Sequence, residues 1–91
     1  MPVHHGYAYI NARLRQSNTV GILVERLRGS RVVPVGRVPL GRHHKGELHR
    51  RWDLKVNGHR LRHGRYRITL RALDSHRNVL GLSKPVTITV R

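Results

Sequence analysis

A chain of 91 residues is one domain, residues 1–91, and one this short buries only about two-thirds of its unfolded surface, so its core is thin. It has no cysteine and no phenylalanine. Disulfides, thiolate zinc sites and Fe–S clusters are therefore excluded. The aromatics are only Tyr7, Tyr9, Trp52 and Tyr66, so the core has to be built from Val, Leu and Ile. Nineteen Lys and Arg stand against four Asp and Glu, a net charge of +15 with eight histidines besides.

That charge points to an acidic partner such as nucleic acid, an acidic polymer or an anionic membrane surface. The same excess of Arg, beside Gly, Val and Pro, is also what GC-rich coding produces. No membrane span is expected, because the longest apolar run, near residues 20–24, is interrupted by Gly21 and a spanning helix needs about 20 apolar residues. Residues 1–7 lack a charged region followed by an apolar one, so no signal peptide is expected there. Residues 1–5 are expected as a flexible lead.

In residues 6–16, Ala8, Ile10, Ala12 and Leu14 occupy one parity, and Tyr7, Tyr9, Asn11, Arg13 and Arg15 the other. This is the pattern of a half-buried strand with a polar outer face. Ser17-Asn18 reads as the turn that ends it. Residues 19–27 form a second strand, with Val20, Ile22 and Val24 on one face and Leu23 and Leu27 on the other, which suits a strand near the middle of a sheet. Arg28-Gly29-Ser30-Arg31 is a hairpin turn. A short third strand spans residues 31–37, with Val33 and Val35 in phase and Pro34 confined to an edge or a bulge. Pro39 and Gly41 break it, and residues 42–46 (RHHKG) read as a basic loop.

Residues 47–52 are the next strand. Leu48 and Trp52 share a parity with Arg50 between them, so Arg50 has to snorkel or lie at a rim. Asn57-Gly58 favours a type I′ turn, His59 to Leu61 is a short extended piece, and Gly64 is a second turn. Residues 65–73 alternate without error: Tyr66, Ile68, Leu70 and Ala72 inward, Arg65, Arg67, Thr69 and Arg71 outward. Residues 74–78 are a polar turn. Residues 79–82 lead into a last strand in which Val86, Ile88 and Val90 alternate with Thr87, Thr89 and Arg91, and Pro85 marks an edge or bulge at its start. Six or seven short strands at about ten-residue spacing, with no helical segment, predict an all-β domain, a small antiparallel sandwich or barrel.

The order Trp52-Asp53, then Asn57-Gly58, then Gly64-Arg65-Tyr66, preceded by the Arg28-Gly29-Ser30 hairpin and followed by a last strand opening S-x-P-V-T, resembles a bacterial family. It is the immunoglobulin-like module found at the C-terminus of the flagellar hook-assembly scaffold protein and in many secreted or cell-surface proteins. The resemblance covers residues 28–91. Leu54 stands where that family usually has glycine after Trp-Asp, and His63 where proline commonly precedes Gly-x-Tyr. The resemblance implies an immunoglobulin/fibronectin-like sandwich and a structural or interaction module of a larger cell-envelope or extracellular protein, whose partners are neighbouring domains or subunits. In that fold Tyr66 suits a tyrosine corner, Trp52 plugs one end of the core, and Asp53 caps the following turn.

No catalytic signature is present. There is no G-x-S-x-G elbow, and Glu25, Glu47, Asp53 and Asp74 suggest no paired-carboxylate site. His4-His5 and His43-His44 are adjacent pairs, and neighbours on a strand point to opposite faces, so each pair offers at most one good ligand without a loop; weak nickel or zinc binding through His4 and His5 is expected at most. Gly36 to Gly41 and Gly58 to Gly64 lack the Lys-Ser/Thr and the following helix of a nucleotide loop. No cofactor is expected.

Two candidate surfaces remain. Arg65, Arg67 and Arg71 lie on one face of one strand, with Arg91 or Arg31 as expected cross-strand neighbours and His43, His44 and Lys45 as a basic loop, and a phosphate backbone can lie along such a stripe. This gives the alternative function, a small basic nucleic-acid- or polyanion-binding protein, which would be cytoplasmic. Tyr7 and Tyr9, both outward on what reads as an edge strand, suggest contact with another protein or a second copy.

Overall fold

The computed structural model describes residues 1, 3–4, 6–14, 18–74, 76 and 78–91. Among them every regular element is a strand, and no helix is long and apolar enough to cross a membrane. The strands are β1 (Val3–His4), β2 (Tyr7–Leu14), β3 (Asn18–Arg28), β4 (Arg31–His43), β5 (Gly46–Trp52), β6 (Lys55–Val56), β7 (His59–Arg60), β8 (Gly64–Leu73), β9 (Val79–Leu82) and β10 (Val86–Val90). Seven of them run four residues or more. The two-residue pieces β1, β6 and β7 are too short to leave a periodic trace in sequence.

All pairing is antiparallel. One sheet has the order β1-β2-β5, a second β10-β8-β3-β4 with β9 also on β8, and β6-β7 is a separate small hairpin. Each sheet turns one apolar parity toward a shared core. Ala8, Ile10, Leu14, Leu48 and Trp52 come from the first sheet, and Val20, Ile22, Val24, Tyr66, Ile68, Ile88 and Val90 from the second. These are the positions that the period-two pattern assigns inward. β3 lies between β8 and β4, which explains why both of its faces carry leucine or valine.

The turns follow their chemistry. Arg28 pairs with Arg31 across Gly29-Ser30, and Gly29 takes a φ of 61°. Val56 pairs with His59 across Asn57 (φ 52°) and Gly58 (φ 80°), the two positive φ values that a type I′ turn requires.

Three expectations need correction. The third strand does not stop at residue 37: β4 continues to His43, so His43 belongs to the strand and only His44 and Lys45 turn toward β5. Pro34 and Pro39 are tolerated because β4 is the edge strand of its sheet and both lie opposite register shifts, between Val24 and Glu25 and between Val20 and Gly21; Gly41, with φ 82°, absorbs the second. In place of a free lead, Val3 and His4 pair with Ala8 and Tyr7, and Met1 and Val3 pack against the core. Asn18 begins β3 rather than ending a turn. His5, the ends of the predicted first strand and of its turn (Arg15, Gln16, Ser17), and Ser75 and Arg77 of the polar turn lie outside the described residues.

Candidate functional site

The stretch from Trp52 to Tyr66 is held by a chain of local bonds. The Trp52 indole Nε1–H donates to the Lys55 carbonyl at 3.0 Å, and the Lys55 N–H donates to Asp53 Oδ1 at 3.1 Å. The Leu61 N–H donates to the Leu54 carbonyl at 2.9 Å, closing the β6-β7 hairpin at its base. The Tyr66 hydroxyl donates to the Arg62 carbonyl, four residues upstream, at 2.8 Å. Trp52 and Tyr66 are both buried, as core residues should be, and Asp53 makes the turn contact that its position suggests.

Leu54 is one of the two departures from the resembled pattern, and its backbone shows why glycine would fit there. Its φ is 62°, yet its side chain is only 1% exposed. The left-handed region costs a non-glycine residue about 1–2 kcal/mol, while truncating a buried leucine costs about 2–5 kcal/mol. Leu54→Gly is therefore expected to destabilise the domain by about 2 kcal/mol, because lost burial outweighs relieved strain. Leu54→Ala keeps the strain and loses nearly as much burial, so it is expected to be no more stable than the glycine variant. Urea melts of the pair check this; an alanine variant clearly more stable than the glycine one would mean that the left-handed backbone carries no strain.

The arginine face differs from its expected form. Arg65 is exposed and pairs in register with Leu27. Arg67 is not a free cation. Its Nη2 is 2.9 Å and its Nε 3.0 Å from Glu25 Oε1 on the neighbouring strand, with side-chain exposures of 37% for Arg67 and 16% for Glu25. Arg71 is half-buried, and its Nε is buried without a hydrogen-bond partner. Between them, Thr69 is buried opposite Leu23. The expected neighbours also change. Arg31 pairs with Arg28 at the hairpin tip, and Thr89 rather than Arg91 is the partner of Arg65. The arginines that the register does bring to this face are Arg37, opposite Leu23, and Arg42, opposite Thr19. They form a column on β4, two strand spacings or about 10 Å from the column on β8.

His43 is half-buried, and its Nε2 lies 2.9 Å from the Leu40 carbonyl. Its register partner is Asn18, so it alternates away from Arg42. His44 and Lys45 are exposed in the turn before β5. The structure thus separates His43 from the Arg65, Arg67 and Arg71 face. Arg50 lies at the rim as expected: it is exposed, and its Nη1 donates to the same Leu40 carbonyl at 3.1 Å.

The Glu25–Arg67 pair changes what Arg67→Ala should do. At an ordinary surface position alanine costs within about 0.5 kcal/mol. Here it strips a half-buried carboxylate of its partner, so about 1 kcal/mol is expected after allowing for solvent screening of the exposed guanidinium. A double-mutant cycle with Glu25→Gln reads the coupling directly; a coupling of zero would mean that the pair contributes nothing.

Tyr7 and Tyr9 are not on a fully open edge. β2 is the middle strand of its sheet, paired with β5 along its length and with β1 at Tyr7 and Ala8. Both tyrosines are half-buried. The Arg51 guanidinium covers the Tyr7 ring at 4.4 Å, and His4 lies against Tyr9 with ring centroids 6.2 Å apart. They cover the flank of the sheet.

A scan of protein-family models, a search of the curated proteins and a search of solved structures each found no match.

The four carboxylates are all engaged locally: Glu25 with Arg67, Glu47 with His49 at 3.2 Å, Asp53 with the Lys55 N–H, and Asp74 with the turn that it begins. The Asn78 N–H, before any other group, holds the Asp74 carboxyl below its ordinary pKa; desolvation opposes it, and the Asn78 side chain and His76 N–H add smaller contributions to the lowering. Among the described residues no three of His, Asp and Glu gather where a metal could sit. Sequence reasoning missed Arg37, Arg42 and the Glu25 partner of Arg67. No local pattern could have found them, since the Arg67 pair spans 42 positions in sequence.

Proposed function

We propose that the chain is an immunoglobulin-like β-sandwich serving as a non-catalytic structural or interaction module of a larger bacterial cell-envelope or extracellular protein. The observation that carries this reading is the Tyr66 corner, a hydroxyl at the start of β8 bonded back to the Arg62 carbonyl, which is a hallmark of that fold. Strand order supports it. If β1, β2 and β5 are lettered A, B and E, and β4, β3, β8 and β10 are lettered C′, C, F and G, the sheets read A-B-E and C′-C-F-G, an immunoglobulin-type arrangement. Such a module works by display: rigid sheets hold an outer face and strand edges toward neighbouring domains or subunits.

The second reading, polyanion binding, is favoured by Arg37 and Arg42, which add a column to the face that carries Arg65. Binding of RNA, single-stranded DNA and duplex DNA across a salt series separates the two. For a display module, binding is generic among sequences and falls by orders of magnitude between about 50 and 200 mM salt. Affinity tighter than about 1 µM at physiological salt that also differs between sequences would make nucleic-acid binding the main function. Loss of that binding in Arg37→Glu with Arg42→Glu would place it on the outer sheet face.

A further inference from the structure

Among the described residues, β2 is paired along nearly its whole length on one side only. β5 pairs with it from Ala8 to Leu14, while β1 covers just Tyr7 and Ala8 on the other side. Among the described residues, no strand pairs with residues 11–14 on that second side. Alternate N–H and C=O groups of a strand point to each side, so this stretch presents an unpaired edge, the template onto which an extended peptide adds.

The edge opens onto a trough of about 650 Å³ between β2 and β9. Its apolar lining includes Ala12 and Leu14 from β2, Leu70 and Ala72 from β8, and Leu80 and Leu82 from β9. Four of the six exposed large apolar residues lie on this one segment: Val79, Leu80, Leu82 and Val86, with Leu80 at 51% and Leu82 at 64% exposure. Scattered single apolar residues need no explanation, but Leu80 and Leu82 share one parity of β9 and both line the trough, which makes a joint patch. The charged residues lining the trough and its continuation toward Met1 are all cations, Arg13, Arg71 and Lys84, and no carboxylate lines either part. Arg71 is the residue whose Nε is buried without a partner, a state that usually has a reason.

We propose that β2 takes up an added strand here: an extended peptide of a partner protein, apolar at every second position and acidic between. Alternation follows from the added strand having one face over the apolar lining and one in solvent. Acidity follows from the cations at the rim. A second copy of this chain is the wrong occupant, since two chains of +15 repel each other. The proposal rests on the module reading in that it names the class of partner such a module would hold.

The test uses the whole chain and a synthetic Val/Glu alternating peptide of about eight residues, within the usual length of a strand. Two controls are an all-Glu peptide of that length and an N-methylated version that cannot complete the ladder. The Val/Glu peptide should bind at physiological salt and slow hydrogen exchange at those amides of residues 11–14 that face away from β5. Leu80→Asn with Leu82→Asn, both at exposed positions and neutral so that the charge of the rim is kept, should weaken binding about tenfold, or 1.4 kcal/mol, with the circular dichroism spectrum unchanged. The proposal is overturned if the all-Glu or N-methylated peptide binds equally well, if Arg37→Glu with Arg42→Glu abolishes binding while the trough variants do not, if nothing binds at about 1 mM, or if the trough instead joins two copies in sedimentation. The two readings fail separately. Exchange protection of the free protein that does not follow the two sheets removes the module, whereas failure of the peptide arms alone removes only this site.

Discussion

Trp52→Ala should bring the domain close to global unfolding. Truncating a buried tryptophan costs about 3–5 kcal/mol, against a total of about 5–14 kcal/mol for a chain of this length. Three features place Trp52 at the upper end. It is the largest side chain in a core that has no phenylalanine to fill around it. It pairs with Ala8, whose methyl group cannot expand into the void. Its indole N–H also satisfies the Lys55 carbonyl, which loses its partner in the variant. With about 4–8 °C of melting temperature per kcal/mol in a domain this size, a cost of about 5 kcal/mol gives an expected shift of about 20–40 °C. Far-UV circular dichroism has to follow the melt, because the substitution removes the only tryptophan. Trp52→Phe keeps much of the buried area and loses the donor, so it should fall between. A Trp52→Ala melt within a few degrees of the native protein would mean that the two sheets do not depend on this side chain for their contact.

What the chain discloses about itself divides along the range of the interactions involved. Strand parity was legible wherever one face is buried and the other wet, as in β2 and the first half of β8, because a period of two leaves its mark in a single segment; the burial of Thr69 on the outward parity of β8 was not. The turns at Gly29 and at Asn57-Gly58 were legible because positive φ restricts residue choice. β4 was misread for a related reason: Pro39 and Gly41 are breakers in isolation, and only an edge position with a bulge accommodates them. The outer face of β8 was legible as a row of arginines but not as a site. Its state is set by register, which brings Glu25 to Arg67, Leu23 to Thr69, and Arg37 and Arg42 onto the same face. Registers of that kind join residues dozens of positions apart. A sequence pattern shows which way a side chain points and says nothing of what lies across from it. For the same reason the trough beside β2 had no forerunner in sequence, since it exists only where β1 stops and β9 passes.

Tyr66 allows the two contributions of one residue to be separated. Tyr66→Ala removes both the ring and the hydroxyl, and should cost about 3–5 kcal/mol. Tyr66→Phe removes the hydroxyl alone. It leaves the ring in the core and Arg26 over its face at 5.8 Å, and should cost about 0.5–1.5 kcal/mol. The smaller loss should also have a location. The hydroxyl fixes the Arg62 carbonyl, next to Leu61, whose N–H closes the β6-β7 hairpin on Leu54, and His63, whose carbonyl accepts from Arg26 Nη2 at 3.2 Å. Loosening residues 61–63 should therefore speed amide exchange at Leu61 in Tyr66→Phe more than at Ile68 or Ile22, which lie in the strands. Tyr66→Ala should speed exchange everywhere, since it lowers global stability. If Tyr66→Phe instead raised exchange uniformly, or left it unchanged with stability intact, the hydroxyl would not be what anchors the crossing between the sheets. In that case the ring alone would be the reason for tyrosine at this position.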